Sequence, residues 1–301
     1  MVVGYQPSIG SAFIIEGVVK LSKQIPDRIK NSLNFTDTKL SLCVFVILSQ
    51  ESFFSVNMLN TYNSFHKKSH SSSKTINDNN FTYGFHIKVV KNAISSRKNV
   101  SILDYGCGIG TIDFYFANHG HNITGIDISP LAIETANQTL RSLKLQKNCK
   151  FKELNKWKKG KSSQYDMILC FEVLEHVQND RKLIEMFFNL IKIEGILILS
   201  TPSENAPLYK LGLTKKFDRE VGHLRRYSIN RLSSIIEKSG FKIVDVVKNE
   251  GILRNSLFLL KPVNFLVKFV KGPVRPIFNF MDKVFMAIFG ESDLLVIAQK
   301  I

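Results

Sequence analysis

The chain has 301 residues, 44% of them hydrophobic, and a formal net charge of +16. That length allows one large domain, or a domain with an appendage, around a sizeable core. The charge suits nucleic acid, an anionic membrane face or a phosphorylated substrate without choosing among them, and is equally the mark of a lysine-rich cytosolic protein. The four cysteines, Cys43, Cys107, Cys149 and Cys170, share no CxxC spacing. This argues against a disulfide frame or a zinc site and for free thiols in a reducing compartment.

Residues 1–57 carry one stretch of helical period (Ile14, Val18, Leu21, Ile25, Ile29, Leu33) interrupted by Pro26, then the apolar run Leu42 to Leu48. That run is too short to span a bilayer, which takes about 20 apolar residues. Glu16 breaks the early apolar stretch and no basic segment precedes it, so no signal peptide is expected. This zone is an N-terminal extension of unknown role. Residues 58–82 are polar and read as a lead-in or linker, with His66 and His70 as solvated side chains.

From residue 83 strands and helices alternate. A helix over 85–95 precedes strand VSILDY, and a helix over 111–118 precedes strand NITGID. A helix from Pro130 to Leu143 follows, then strand CKFKEL, basic NKWKKGK and strand YDMILCF. A helix from Asp180 to Ile191 leads to strand GILILST, one from Ile229 to Ser239 to strand KIVDVV, and DLLVIAQK closes the chain. Apolar, β-branched strands alternating with helices predict an α/β fold, a doubly wound parallel sheet covered on both faces.

The stretch LDYGCGIG sets Gly106, Gly108 and Gly110 between a strand and a helix. Glycine lets a ligand approach the main chain, and this corner of a doubly wound sheet binds nucleoside-like cofactors. The spacing is GxGxG, neither the dinucleotide GxGxxG nor a Walker loop. Asp127 ends the second strand, where a carboxylate can accept from both ribose hydroxyls.

In order, LDYGCGIG, GIDIS and YDMILCFEVLEHV resemble the class I S-adenosylmethionine-dependent methyltransferases. The resemblance implies a Rossmann-like seven-stranded sheet of order 3-2-1-4-5-7-6 with strand 7 antiparallel, and a methyltransferase domain over 83–301. By position it places Asp104 at the methionine amino group of the cofactor. Gly106, Cys107, Gly108 and Gly110 line its backbone, Asp127 and Ile128 hold the nucleoside, and Asn155 stands near the adenine amine. Glu172 faces cofactor and acceptor. Asp166, at the start of the fourth strand, is expected to be structural.

FEVLEHV sets Glu172, Glu175 and His176 at i, i+3 and i+4, which on a helix share one face. Two carboxylates and an imidazole can hold a divalent metal, Mg2+ being the candidate, with His223 of GHLRRYS as a fourth ligand. This pattern resembles the ubiquinone-biosynthesis O-methyltransferases and the small-RNA terminal ribose 2′-O-methyltransferases. In the alternative without metal, Glu172 and His176 shape the pocket, Glu175 caps or pairs, and His223 acts as a general base. Arg225 and Arg226 either grip a phosphate or carboxylate or form salt bridges.

Residues 252–290, an apolar helical insert before the last strand, are rich in Phe, Leu and Val with interleaved Lys and Arg. Pro262, Pro273 and Pro276 should divide it into short helices. It suits a membrane-surface element, a lid over a greasy pocket or plain packing, and residues 201–222 form a second lid candidate. The favoured reading is O-methylation of a small-molecule or lipid-linked acceptor in the cytoplasm, peripheral to a membrane. RNA ribose 2′-O-methylation is the runner-up, nucleic acid being the less favoured partner, and a non-catalytic binding protein is third. The acceptor and the oligomeric state are not legible.

Overall fold

A computed structural model describes residues 76–301 apart from 79, 159–161, 260–265, 267–268 and 271–273. The described residues fall within one unit, Val56–Ile301. The expected extension over 1–57, most of the lead-in over 58–82, Cys43, His66, His70, Pro262 and Pro273 lie outside the described residues.

The alternation builds as expected. Helix α1 is Gly84–Ile94, β1 Ser101–Tyr105, α2 Thr111–Asn118, β2 Asn122–Asp127, α3 Pro130–Ser142 and β3 Cys149–Glu153. Strand β4 is Tyr165–Phe171, α4 Asp180–Leu190, β5 Ile191–Pro202, α5 Pro207–Lys210, α6 Lys215–Val221 and α7 Ile229–Lys238. Strand β6 is Phe241–Asn249, α8 Ile252–Leu259, α9 Val274–Phe289 and β7 Asp293–Lys300. The sheet order is β3-β2-β1-β4-β5-β7-β6, with β7 antiparallel to both of its neighbours. This is the class I methyltransferase order.

Strand alternation divides two cores. Ile102, Met167, Leu169, Ile198 and Leu295 pack under α1, α2 and α3. Leu103, Ile168, Cys170, Leu197, Leu199 and Val296 pack under α4 and α7. Strand residues of period two therefore serve both faces, which is why these strands read as continuous apolar runs. Cys107, Cys149 and Cys170 are free thiols, the last two buried. Ser129 caps α3 by accepting from the Ala132 N–H, with Pro130 in the first turn.

Two expectations about local structure change. Pro276 does not divide the insert: it stands in the first turn of α9, where backbone N–H groups lack helical partners anyway. Nor is FEVLEHV a helix with one functional face. Only Leu174–His176 form a single 3₁₀ turn, and Glu172 before it takes φ 55°. At 3₁₀ pitch, and with a left-handed residue between strand and turn, the i, i+3, i+4 register is lost. Glu172 does not join Glu175 and His176 in one group of ligand atoms.

Candidate active site

The strand order reverses between β1 and β4, and the crevice lies beyond their carboxyl ends. On the β1 side the glycine loop is held by its own backbone. The N–H groups of Gly106 and Cys107 both donate to the Ile126 carbonyl, at 2.8 and 3.1 Å. Gly106 has φ 86° and Gly110 φ 78°. A Cβ on Gly106 would meet Val173 Cγ2 at 2.2 Å, and one on Gly110 would meet Phe151 Cζ at 2.5 Å. Backbone conformation and packing thus require these two glycines before any ligand arrives. Asp127, buried, accepts from the Gly108 N–H at 2.8 Å and the Ser129 N–H at 2.8 Å. Ile128 beside it is 42% exposed, and Asn155 is exposed in the turn after β3.

Asp104 has a partner that the sequence reading missed. Asp113, on the first turn of α2, is buried beside it, and the two carboxyls lie within hydrogen-bonding reach. Burial, countered in part by the Asp113 hydrogen bond, pushes Asp104 up to about 7. Burial and then the Asp104 charge push Asp113 well above the usual range. Apart from the Asp104 carboxyl, neither Asp113 oxygen meets a well-placed side-chain donor among the described residues. The pair therefore shares a proton or awaits a cationic donor. The signal was an aspartate one turn into an otherwise apolar helix.

On the β4 side Glu172, exposed, accepts from Ser200 Oγ at 2.7 Å. Its left-handed backbone costs on the order of 1–3 kcal/mol, a strain typical of functional positions. Glu175 is fully buried, with Oε2 accepting from Thr201 Oγ1 at 3.1 Å and Oε1 without a donor. His223 Nε2 lies 3.7 Å from that Oε1 and His176 Nε2 3.9 Å. His176 Nδ1 faces the Gly222 carbonyl at 3.1 Å, and His223 Nδ1 faces Asp218 Oδ1 at 2.9 Å. Both partners only accept, so each Nδ1 carries a hydrogen, and both Nε2 atoms face Glu175 Oε1. Burial, then His223, lowers His176 to about 4, so that ring is neutral in ordinary buffers. Burial, then the Glu172 charge, pushes Glu175 well above the usual carboxylate range.

Glu175, His176 and His223 each offer a ligand atom within 4.8 Å of the others, and Glu172 is not among them. The structure brings His223 beside Glu175 and His176, and leaves Glu172 outside that group. Asp218 orients His223 and is itself held by Arg226 at 2.7 Å and Thr214 at 2.8 Å. Against burial, which raises it, these hydrogen bonds lower Asp218 to about 2. Arg225 pairs with Asp180 at 2.9 Å. The two arginines thus form the plain salt bridges. Asp166, accepting from the Ser101 N–H at 2.8 Å and paired with Lys192 at 2.7 Å, ties β4 to its surroundings.

Residues 83–246 match the family model of the methyltransferase domain. A curated relative, the ubiquinone biosynthesis O-methyltransferase of Rickettsia bellii, is 32% identical over 127 residues, 42% of this chain and 52% of the relative. The chain thus spans about half the length of the curated relatives it matches. Among solved structures, Haemonchus contortus phosphoethanolamine N-methyltransferase 2 superposes with a TM-score of 0.55 at 14% identity, over 72% of this chain and 52% of that one. The geranyl diphosphate C-methyltransferase of Streptomyces coelicolor, solved with Mg2+, gives 0.54 at 12% identity, over 72% and 79%. At such identities these two establish the fold alone. The family match covers more than half of the chain on a sheet of the same order, and the protein belongs to the methyltransferase domain family.

Proposed function

We propose that the chain methylates a hydroxyl oxygen of a lipid-linked small molecule while resting on an anionic membrane surface. The observation that carries this reading is helix α9. Among its 16 residues only Asp282 is buried, whereas Ile277, Phe280 and Ile288 are 62%, 69% and 67% exposed. Asp282 accepts from the N–H groups of Gly251 and Arg254, at 2.8 and 2.9 Å, and so caps α8 from outside. The helix is mounted by its polar residue and turns Val274, Ile277, Met281, Val284 and Ile288 outward, the reverse of an ordinary surface helix. Lys283 is exposed on it, and Lys210 shares a groove with its last turn. Positive charge beside an apolar stripe favours anionic lipid, while a second copy would set like charges together. No helix of the described residues is long and apolar enough to cross a membrane. Gly290 joins α9 to β7, whose first residue pairs with Pro202 at the active edge. The name of the Rickettsia relative agrees with an oxygen acceptor.

For the cofactor we assign Asp104 and Asp113 to the ammonium group, because the two carboxyls are buried side by side and the Asp113 oxygens lack donors among the described residues. The backbone at Gly106, Cys107, Gly108 and Gly110, with Asp127, Ile128 and Asn155, would hold the rest. Bound S-adenosylmethionine supplies an electrophilic methyl group on a sulfonium. Glu172, His176 and His223 are the acceptor-side groups. Two imidazoles and one carboxylate do not fit Mg2+, which prefers oxygen ligands, and suit Zn2+, Mn2+ or Fe2+. An ion held by Glu175, His176 and His223 would lower the pKa of an acceptor hydroxyl. Without one, His223 oriented by Asp218 is the base.

The test is co-sedimentation with phosphatidylglycerol and phosphatidylcholine vesicles, paired with labelled methyl transfer to prenylated catechols. Binding to the first lipid alone is expected, with loss in Ile277→Lys/Phe280→Lys and stability changed by no more than about 0.5 kcal/mol. Salt-sensitive RNA retention without vesicle binding would instead favour ribose 2′-O-methylation, the reading that the net charge supports.

A further inference from the structure

Among the described residues several buried polar atoms are orphaned, and two of them sit on one ring. His86, on α1, has both ring nitrogens shut off from solvent and without a hydrogen-bond partner. A neutral imidazole carries one donor and one acceptor, and both are unmet here. Burial, then the charge of Arg254, lowers His86 to about 4, so the ring is neutral. Its ring stands edge-on to Phe171 at 4.7 Å and to Phe85 at 5.6 Å. Phe171 is the last residue of β4 and the neighbour of Glu172.

No nearby group relieves it. Arg254 Nε donates to Glu250 Oε1 at 3.1 Å, another guanidinium nitrogen donates to the Phe81 carbonyl, and its plane lies 4.4 Å over the Phe81 ring. Glu250 belongs to the junction between β6 and α8, and its carbonyl accepts from the Ser292 N–H at 2.7 Å. There Ser292 Oγ and Asp293 Oδ1, both on buried residues at the head of β7, are orphaned too. Unmet polar atoms thus come from α1 and from β7 around the end of β4.

We infer that His86 is an acceptor-binding residue whose imidazole takes a hydroxyl of the methyl acceptor from the α1 side of the sheet edge. This rests on the oxygen-acceptor reading above and deepens it. A hydroxyl both donates and accepts, as the neutral ring requires, whereas an ammonium would satisfy only its lone pair. The aromatic walls Phe85 and Phe171 suit a planar ring bearing that hydroxyl.

The test compares wild type, His86→Phe and His86→Gln, each loaded with S-adenosylhomocysteine, in thermal unfolding and in calorimetric titration with catechol. His86→Phe removes two unmet buried atoms and is expected to raise Tm by about 3 °C. Catechol affinity should fall at least tenfold in His86→Phe, recover in part in His86→Gln, and leave S-adenosylhomocysteine affinity unchanged. A lower Tm in His86→Phe would mean that the ring is satisfied within the fold, and would overturn this inference alone. Equal catechol affinity in wild type and His86→Phe would overturn it as well. A wild type blind to catechol, with His86→Phe still more stable, would overturn the oxygen-acceptor reading on which the inference rests.

Discussion

In the glycine corner between β1 and α2, the proposed cofactor site, the contacts are short in sequence. Gly108 reaches Asp127 across 19 residues, and Gly106 bonds the neighbouring strand directly. On the proposed acceptor side His176 meets Gly222 across 46 residues, and Arg254 meets Phe81 across 173. The corner is held by main-chain hydrogen bonds and by glycines packed against Val173 and Phe151. The acceptor side is held by buried side chains, several of them unsatisfied. A site for an invariant ligand can be written into one strand–turn–helix. A site for a variable acceptor is assembled from loops, where residues change without disturbing the sheet.

This contrast breaks first at Gly106. Replacement by Ala sets a Cβ 2.2 Å from Val173 Cγ2 at φ 86°, and should cost about 3 kcal/mol or more in chemical denaturation. Gly106→Ala/Val173→Ala should recover only the packing share, because the backbone strain persists. A loss below about 1 kcal/mol would mean that the loop owes its glycines to the ligand alone.

On the acceptor side the matching test is Asp218→Asn, which removes the carboxylate behind His223. Divalent-metal affinity, read by zinc competition with a chromophoric chelator, should drop by about 10–100-fold. S-adenosylhomocysteine affinity should stay as it was. Equal zinc affinity in the variant would leave His223 as a base and Glu175 as a structural carboxyl.

The smallest effect sharpens the electrostatics of the corner. Asp104 is raised to about 7, so its burial as an acid favours the folded state most at low pH, and that contribution fades as pH rises through 7. Binding of an ammonium group needs the carboxylate. Affinity for S-adenosylhomocysteine should therefore weaken as pH falls below about 7, by up to about tenfold per unit. Calorimetry in buffers of different ionisation enthalpy should show proton release near pH 7. A flat affinity from pH 5.5 to 8 would remove Asp104 from the ammonium site.

Much of this was legible in residue order. The strands announced themselves because both faces are buried, and the glycine loop because φ and close approach leave no other residue. His223 could be linked to Glu175 and His176 because two loops above one sheet edge must be neighbours. Asp113 and His86 were not legible. One aspartate or histidine in an apolar helix looks alike whether it faces solvent, a partner or a ligand.

The sequence by itself determined the strand–helix alternation, the glycine turn between β1 and α2 and, through its family motifs, the order of the sheet. Only the tertiary structure decided which polar atoms go unpaired. It kept Glu172 out of the Glu175, His176 and His223 group, brought Asp113 to Asp104, and faced the apolar side of α9 outward by burying Asp282. Periodicity states that a helix has two faces, and packing alone settles which one is inside.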